Sequence, residues 1–221
     1  GYYCPFGVKL ACPTGTYCPR DGHWDPFPCP PGTFSAQLAI AKCPKCPRGF
    51  ICPGFGRVAP TLCPPGSVCS KEGLRSPNFL CPAGFYCPSG TETVDPFRND
   101  TTLRPYACSP GTYCLTGVGF KEVLAGNFKY AQPCTEGFYC ESASNNPRGA
   151  GLCPIGFVCP QGTSAPRPAK KGFSAELRGT ILEAECLPGT YAPTVESVVC
   201  YPCPPGTSCE AAGMAIASVC P

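Results

Sequence analysis

The chain has 221 residues, of which 22 are cysteine, 31 proline and 26 glycine, with 14% charged residues and a formal net charge of +3. Cysteine at about a tenth of the residues marks a disulfide scaffold in an oxidising compartment, and proline plus glycine at about a quarter exclude long helices or a wide sheet. No basic run suggests nucleic acid, and no apolar run approaches the length of a transmembrane helix.

Along the chain one frame recurs, Cys-Pro-x-Gly-x-x-Cys. It runs from Cys12 to Cys18, Cys46 to Cys52, Cys63 to Cys69, Cys81 to Cys87, Cys153 to Cys159 and Cys203 to Cys209. Copies without the first proline run from Cys108 to Cys114 and from Cys134 to Cys140. Two more, opening at Cys29 and Cys186, have no cysteine at the seventh place; their next cysteines are Cys43 and Cys200. Proline fixes φ after the opening cysteine and glycine supplies the free φ of a tight turn, so the chain reverses and its two cysteines approach. The residues between glycine and cysteine form a short extended piece. A unit this small makes no core, so it needs a covalent staple or a stacked neighbour.

Opening cysteines fall at 12, 29, 46, 63, 81, 108, 134, 153, 186, 203 and 220, in steps of 17, 17, 17, 18, 27, 26, 19, 33, 17 and 17. The fold class expected is small disulfide-rich repeats: an elongated rod of stacked units of about 17 residues with short β-hairpins and little or no helix. Residues 1–87 are regular repeats, 88–185 repeats with three longer insertions (about 88–107, 115–133 and 160–185), and 186–221 regular repeats again. The first insertion holds the sequon Asn99-Asp100-Thr101, expected to carry glycan on a surface loop. The second, Phe120 to Tyr130, reads as a hairpin around Gly126-Asn127. In the third, Phe173 to Glu185 is either a hairpin around Gly179 or a helical turn.

Cysteine pairing does not follow from sequence alone. If each unit closes on itself, the pairs are 12–18, 29–43, 46–52, 63–69, 81–87, 108–114, 134–140, 153–159, 186–200 and 203–209, which leaves Cys4 and Cys220. Pairing consecutive cysteines from Cys4 uses all 22 but demands strained bridges at Cys43–Cys46 and Cys200–Cys203. Interlocked pairings are a third possibility. Each small closed loop stabilises by roughly 2–3 kcal/mol in the chain-entropy model. Tyr17, Phe34, Tyr86, Tyr113, Tyr139 and Tyr191, at equivalent places in their units, are expected to pack on neighbouring disulfides and prolines.

Residues 29–47 (CPPGTFSAQLAIAKCPKCP) and 186–204 (CLPGTYAPTVESVVCYPCP) resemble the ephrin-receptor-like cysteine-rich repeat. The compact copies resemble the CPAGFYC variant of long arrays in large surface proteins of protists and algae. Among these, algal flagellar-hair (mastigoneme) proteins are the most specific comparison. The resemblance covers essentially the whole chain, and it implies a fold element, a spacer in receptors, and no activity. The compact copies depart from the receptor pattern by moving the second cysteine inward, which leaves the family's pairing open there.

No catalytic residue, metal site or cofactor is expected. The one histidine, His23, lies in a turn beside Trp24, and Asp21 with Asp25 make an incomplete Ca²⁺ set. Cys43-x-x-Cys46 and Cys200-x-x-Cys203 mimic half a zinc or redox site, but have no histidine partners and no surrounding βαβ pattern. Glu176, Glu183 and Glu185 read as a solvated face. Arg167, Lys170 and Lys171 read as solvated loop charge, with an anionic glycan as the functional alternative. Gly1 to Cys4 matches the back of a motif and Cys220-Pro221 the front of one. The expectation is therefore a window in a longer array, with Cys4 and Cys220 bonded outside it. The function expected is a non-enzymatic extracellular structural module, secreted or on the cell surface, that self-assembles into a fibre, flagellar hair or coat. Its expected partners are copies of itself, flanking repeats and glycans, with no nucleic acid and no membrane span. The alternative is a receptor or adhesin ectodomain whose insertions bind a ligand.

Overall fold

The computed structural model of the chain describes residues 1–20, 22–98 and 103–220. Apart from a 3-10 turn at Pro5–Gly7, its regular structure is short antiparallel strand pairs, nearly all two residues long. Contacts divide the chain into two bodies, Gly1–Ala107 with Thr116–Lys121, and Cys108–Leu115 with Glu122–Pro221.

Positions within a unit are counted from its opening residue. The Pro-x-Gly-x segment is a type II turn: Thr16 N–H bonds the Pro13 carbonyl at 3.1 Å, with Gly15 at φ +77°. Threonine recurs at position 5 because its hydroxyl reaches back to the same carbonyl, as from Thr16 to Pro13 and from Thr33 to Pro30, both at 2.7 Å. Positions 5 and 6 then pair with the two residues before the next opener, so Thr16 faces Pro28 and Tyr17 faces Phe27. The same register joins Phe157–Val158 to Arg167–Pro168 in the second body.

Within each body four backbone hydrogen bonds stitch one unit to the next, for the units opening from Cys12 to Cys81 and from Cys108 to Cys203. Between the units opening at Cys46 and Cys63, Gly49 N–H donates to Cys69 O (2.9 Å) and Cys52 N–H to Leu74 O (2.9 Å). Gly73 N–H donates to Cys46 O (2.7 Å), and Cys63 N–H to Gly49 O (2.8 Å). The donor set by Gly73 sits at a second left-handed position, about ten residues after each opener. Glycine holds it in most units, but Ala39 (φ +58°), Ala143 (φ +62°) and Glu196 (φ +64°) hold it in three. Packing extends to the next unit but one. A Cβ on Gly49 would stand 2.7 Å from Gly90 O, and one on Gly156 2.6 Å from Glu196 O. The motif glycine is therefore required twice, for its φ and for a neighbouring carbonyl.

Cystines make the interior, and every opening cysteine from Cys12 to Cys186 is essentially inaccessible. Apolar side chains fill in around them, as Val68 does beside Cys81 and Cys87 with Phe85 against it.

The third insertion of the sequence reading is itself a repeat. Ala169-Lys170-Lys171-Gly172-Phe173-Ser174-Ala175 adopts the motif conformation with alanine at both cysteine places. Gly172 has φ +84°, and Phe173–Ser174 pairs with Ala184–Glu185 as a hairpin. The full stitching is present: Gly172 N–H to Ala192 O, Ala175 N–H to Ser197 O, Glu196 N–H to Ala169 O and Cys186 N–H to Gly172 O, all 2.9–3.0 Å. Ala169 and Ala175 are buried against Val158. The step of 33 is thus 16 plus 17, and the interval 160–185 is the end of one unit followed by a cysteine-free one. The second insertion is a strand pair, Phe120–Val123 and Tyr130–Pro133. Its loop is held by the buried Gln132 side chain, whose Oε1 accepts from Gly126 N–H (2.9 Å) and whose Nε2 donates to Leu124 O (2.9 Å).

Candidate functional site

Ten disulfides are present: 12–18, 29–43, 46–52, 63–69, 81–87, 108–114, 134–140, 153–159, 186–200 and 203–209. Each closes within one unit. Both Cys-x-x-Cys pairs are split between two bridges, so neither presents a dithiol. Cys4, half-buried, and Cys220, exposed, carry no bond. Ten disulfides fit an oxidising compartment. Among the described residues no three metal-binding side chains gather, and no helix is long and apolar enough to cross a membrane. Asn99 and Asp21 lie outside the described residues.

The acidic and basic residues of 167–185 are arranged differently from the sequence reading. Glu183 is buried, with its side chain 5% exposed, and is no part of a solvated face. Its Oε2 accepts the Lys170 backbone N–H at 2.8 Å, and its Oε1 stands 3.2 Å from Lys170 Nζ and 3.9 Å from Arg167 Nη2. Two of the three basic residues therefore brace an internal carboxylate, while Lys171, Glu176 and Glu185 are exposed. The cause lies in the missing cysteines, since a unit with alanine at both places needs another clamp.

The six aromatic residues named from the sequence are all half-buried. Two meet a ring directly across their hairpin: Tyr17 lies 5.9 Å from Phe27, and Tyr86 stacks at 5.5 Å on Tyr106. His23 is half-buried rather than a free surface turn. Its carbonyl accepts Cys4 N–H (2.8 Å), which is one of the stitching bonds, and its ring stands edge-on to Phe27 at 5.0 Å.

Three shallow cavities share one register. One of about 380 Å³ is lined by Tyr17, Pro19, Arg20, His23 and Phe27. A second, about 180 Å³, is lined by Phe34, Ser35, Ala36, Gln37, Ile40 and Pro44. A third, about 340 Å³, lies among Ser208, Glu210, Ala211, Met214, Ser218 and Val219. In each unit these are positions 6, 8, 9 and 12 and the residue across the hairpin from position 6. The repeat fold therefore builds the same concavity again and again, and the sequence decides its lining. In the unit opening at Cys46 the register is spanned from within, Arg57 Nη2 donating to Thr61 Oγ1 at 2.5 Å. In the next, Asn78 fastens Ser70 through Oδ1 and Nδ2, at 3.0 and 2.9 Å. Sequence reasoning missed these positions because cysteine spacing says nothing of them; aligning the units by their openers would have gathered them.

The strand before each opener is exposed in nearly every unit, and it carries Leu62, Phe79, Leu80, Tyr106, Leu152, Tyr201 and Val219 to the surface. No protein-family model matches the chain, and no curated protein matches it in sequence.

Proposed function

We propose that the chain is a non-enzymatic extracellular structural module whose copies assemble into a fibre, flagellar hair or surface coat. The observation that carries this is the stitching. Within each body successive units offer one another the same four backbone bonds, a repeating pattern that commits the buried polar groups to the array. Exposed apolar side chains on the strands before the openers supply area for contact between copies. The disulfide density supports secretion into an oxidising space.

Negative-stain electron microscopy of the oxidised chain, with sedimentation across concentration, tests this. Concentration-dependent association into periodic filaments is expected; a monomer at every concentration overturns it. The receptor or adhesin reading is favoured by one feature, the loop of the Phe120–Pro133 hairpin, where Leu124 and Phe128 are exposed. Capture of a foreign partner through that loop, with no self-association, would establish it instead.

A further inference from the structure

The geometry points to a saccharide-binding site in the first body, in the cavity formed by Tyr17, Pro19, Arg20, His23 and Phe27, with a carboxylate-bearing pyranose as its ligand. This does not rest on the assembly reading.

The first argument is comparative. The units opening at Cys46 and Cys63 spend the same register on themselves, through the Arg57–Thr61 and Asn78–Ser70 bonds. The unit opening at Cys12 leaves it open, at about 380 Å³. That is at the lower end of small-molecule sites, the size of a single-ring ligand.

The second argument is the lining. Phe27 is 44% exposed, with the Tyr17 ring tilted 41° against it and the His23 ring at 88°. Three rings around one shallow cavity offer flat apolar faces to the C–H face of a sugar. Arg20 at the exposed rim makes no ion pair among the described residues, and its guanidinium suits a carboxylate bidentately. His23 lines the cavity with its ring, its Nε2 being inaccessible to solvent. The floor is already rigid, because the His23 carbonyl is tied to Cys4 N–H and the Cys12–Cys18 bridge closes the loop below. The other two cavities lack this combination. The one at Phe34 has no charged residue, and the one at Ser208 has Glu210 where a carboxylate would be repelled.

The test is a titration of the ¹⁵N-labelled, oxidised chain with methyl β-glucuronide and, separately, with the uncharged methyl β-glucoside, read by amide shifts. Saturable shifts confined to 17–29 are expected for the glucuronide, with a dissociation constant on the order of 1 mM. Arg20→Gln should weaken binding about tenfold, the loss of one charge-assisted contact, and Phe27→Ala should weaken it as well. Both side chains are exposed, and retention of the ten disulfides in each variant verifies folding. Absence of shifts with either sugar overturns the site. Equal binding of both sugars, or an Arg20→Gln variant that binds as well as the parent, overturns the carboxylate assignment. Filament formation by Arg20→Gln should match the parent, which keeps this result separate from the assembly reading.

Discussion

Glu183 stands in its unit where Cys200 stands in the next, fourteen residues after an opener that is Ala169 in one case and Cys186 in the other. Cys200 reaches its opener through a disulfide. Glu183 reaches the residue after its opener, accepting the Lys170 N–H. A covalent clamp and a charge-assisted one thus occupy equivalent places.

Glu183→Ala removes the acceptor and leaves the Lys170 N–H without its partner in a part-buried setting. The expected local cost is about 1–3 kcal/mol, part of it offset because Lys170 and Arg167 reach solvent. Amide exchange at Lys170 and Phe173 should accelerate at least about tenfold, while Val68 in the other body stays unchanged. Glu183→Gln should fall between, since its amide oxygen still accepts the backbone proton. Unchanged exchange in Glu183→Ala would show that the ion pairs clamp nothing.

Two kinds of motif glycine should respond differently to alanine. Gly156 (φ +81°) has the Glu196 carbonyl 2.6 Å from where a Cβ would stand, whereas Gly189 (φ +90°) has nothing within 4 Å. Gly189→Ala pays only for the left-handed backbone, about 1 kcal/mol. Gly156→Ala adds a clash with backbone that cannot move without breaking the stitching, and should cost about 2 kcal/mol more. Thermal unfolding of the two oxidised variants, side by side, measures the difference; equal costs would refute the packing between a unit and the next but one.

The converse substitution should stabilise. Ala39, Ala143 and Glu196 hold left-handed positions that glycine holds in most other units. Ala143→Gly should gain about 0.5–1 kcal/mol, the relief of φ strain less the added freedom of the unfolded chain. A lower melting temperature in Ala143→Gly would show that the alanine methyl contributes contacts exceeding the strain.

The cysteines carried most of the legible information, and the limits of the reading follow from that. The regular spacing of Cys12, Cys29, Cys46 and Cys63 reveals the period, and Pro-x-Gly reveals the turn. The unit opening at Ala169 was hidden because its openers are alanines. The surviving signal was Gly172 followed by Phe173, sixteen residues after the glycine of the previous unit, inside a step twice the usual length. Glu183 looked solvated because a charged residue beside a hairpin normally is; only the missing cystine explains its burial. The approach of Gly49 to Gly90 arises from how a unit packs on the next but one. No local pattern encodes that approach.

The bridges themselves are open to direct measurement. Every disulfide closes a loop of one unit, with Cα atoms 5.6–6.3 Å apart. Non-reduced proteolytic peptides should therefore yield Cys81–Cys87 and Cys153–Cys159 as intrapeptide bonds. The informative bridges are the wider ones. Cys43 lies three residues before Cys46, yet it belongs to Cys29 while Cys46 belongs to Cys52. Cleavage at Lys45, between them, should separate Cys29–Cys43 from Cys46–Cys52 without reduction. A Cys43–Cys46 bridge would hold the two halves together after that cut, and a Cys18–Cys29 bridge would move Cys29 into the preceding peptide. Either result would replace self-closing units with a chain cross-linked from unit to unit. Stability would then no longer divide by unit, and the Ala169 unit could not do without its own bridge merely by acquiring Glu183.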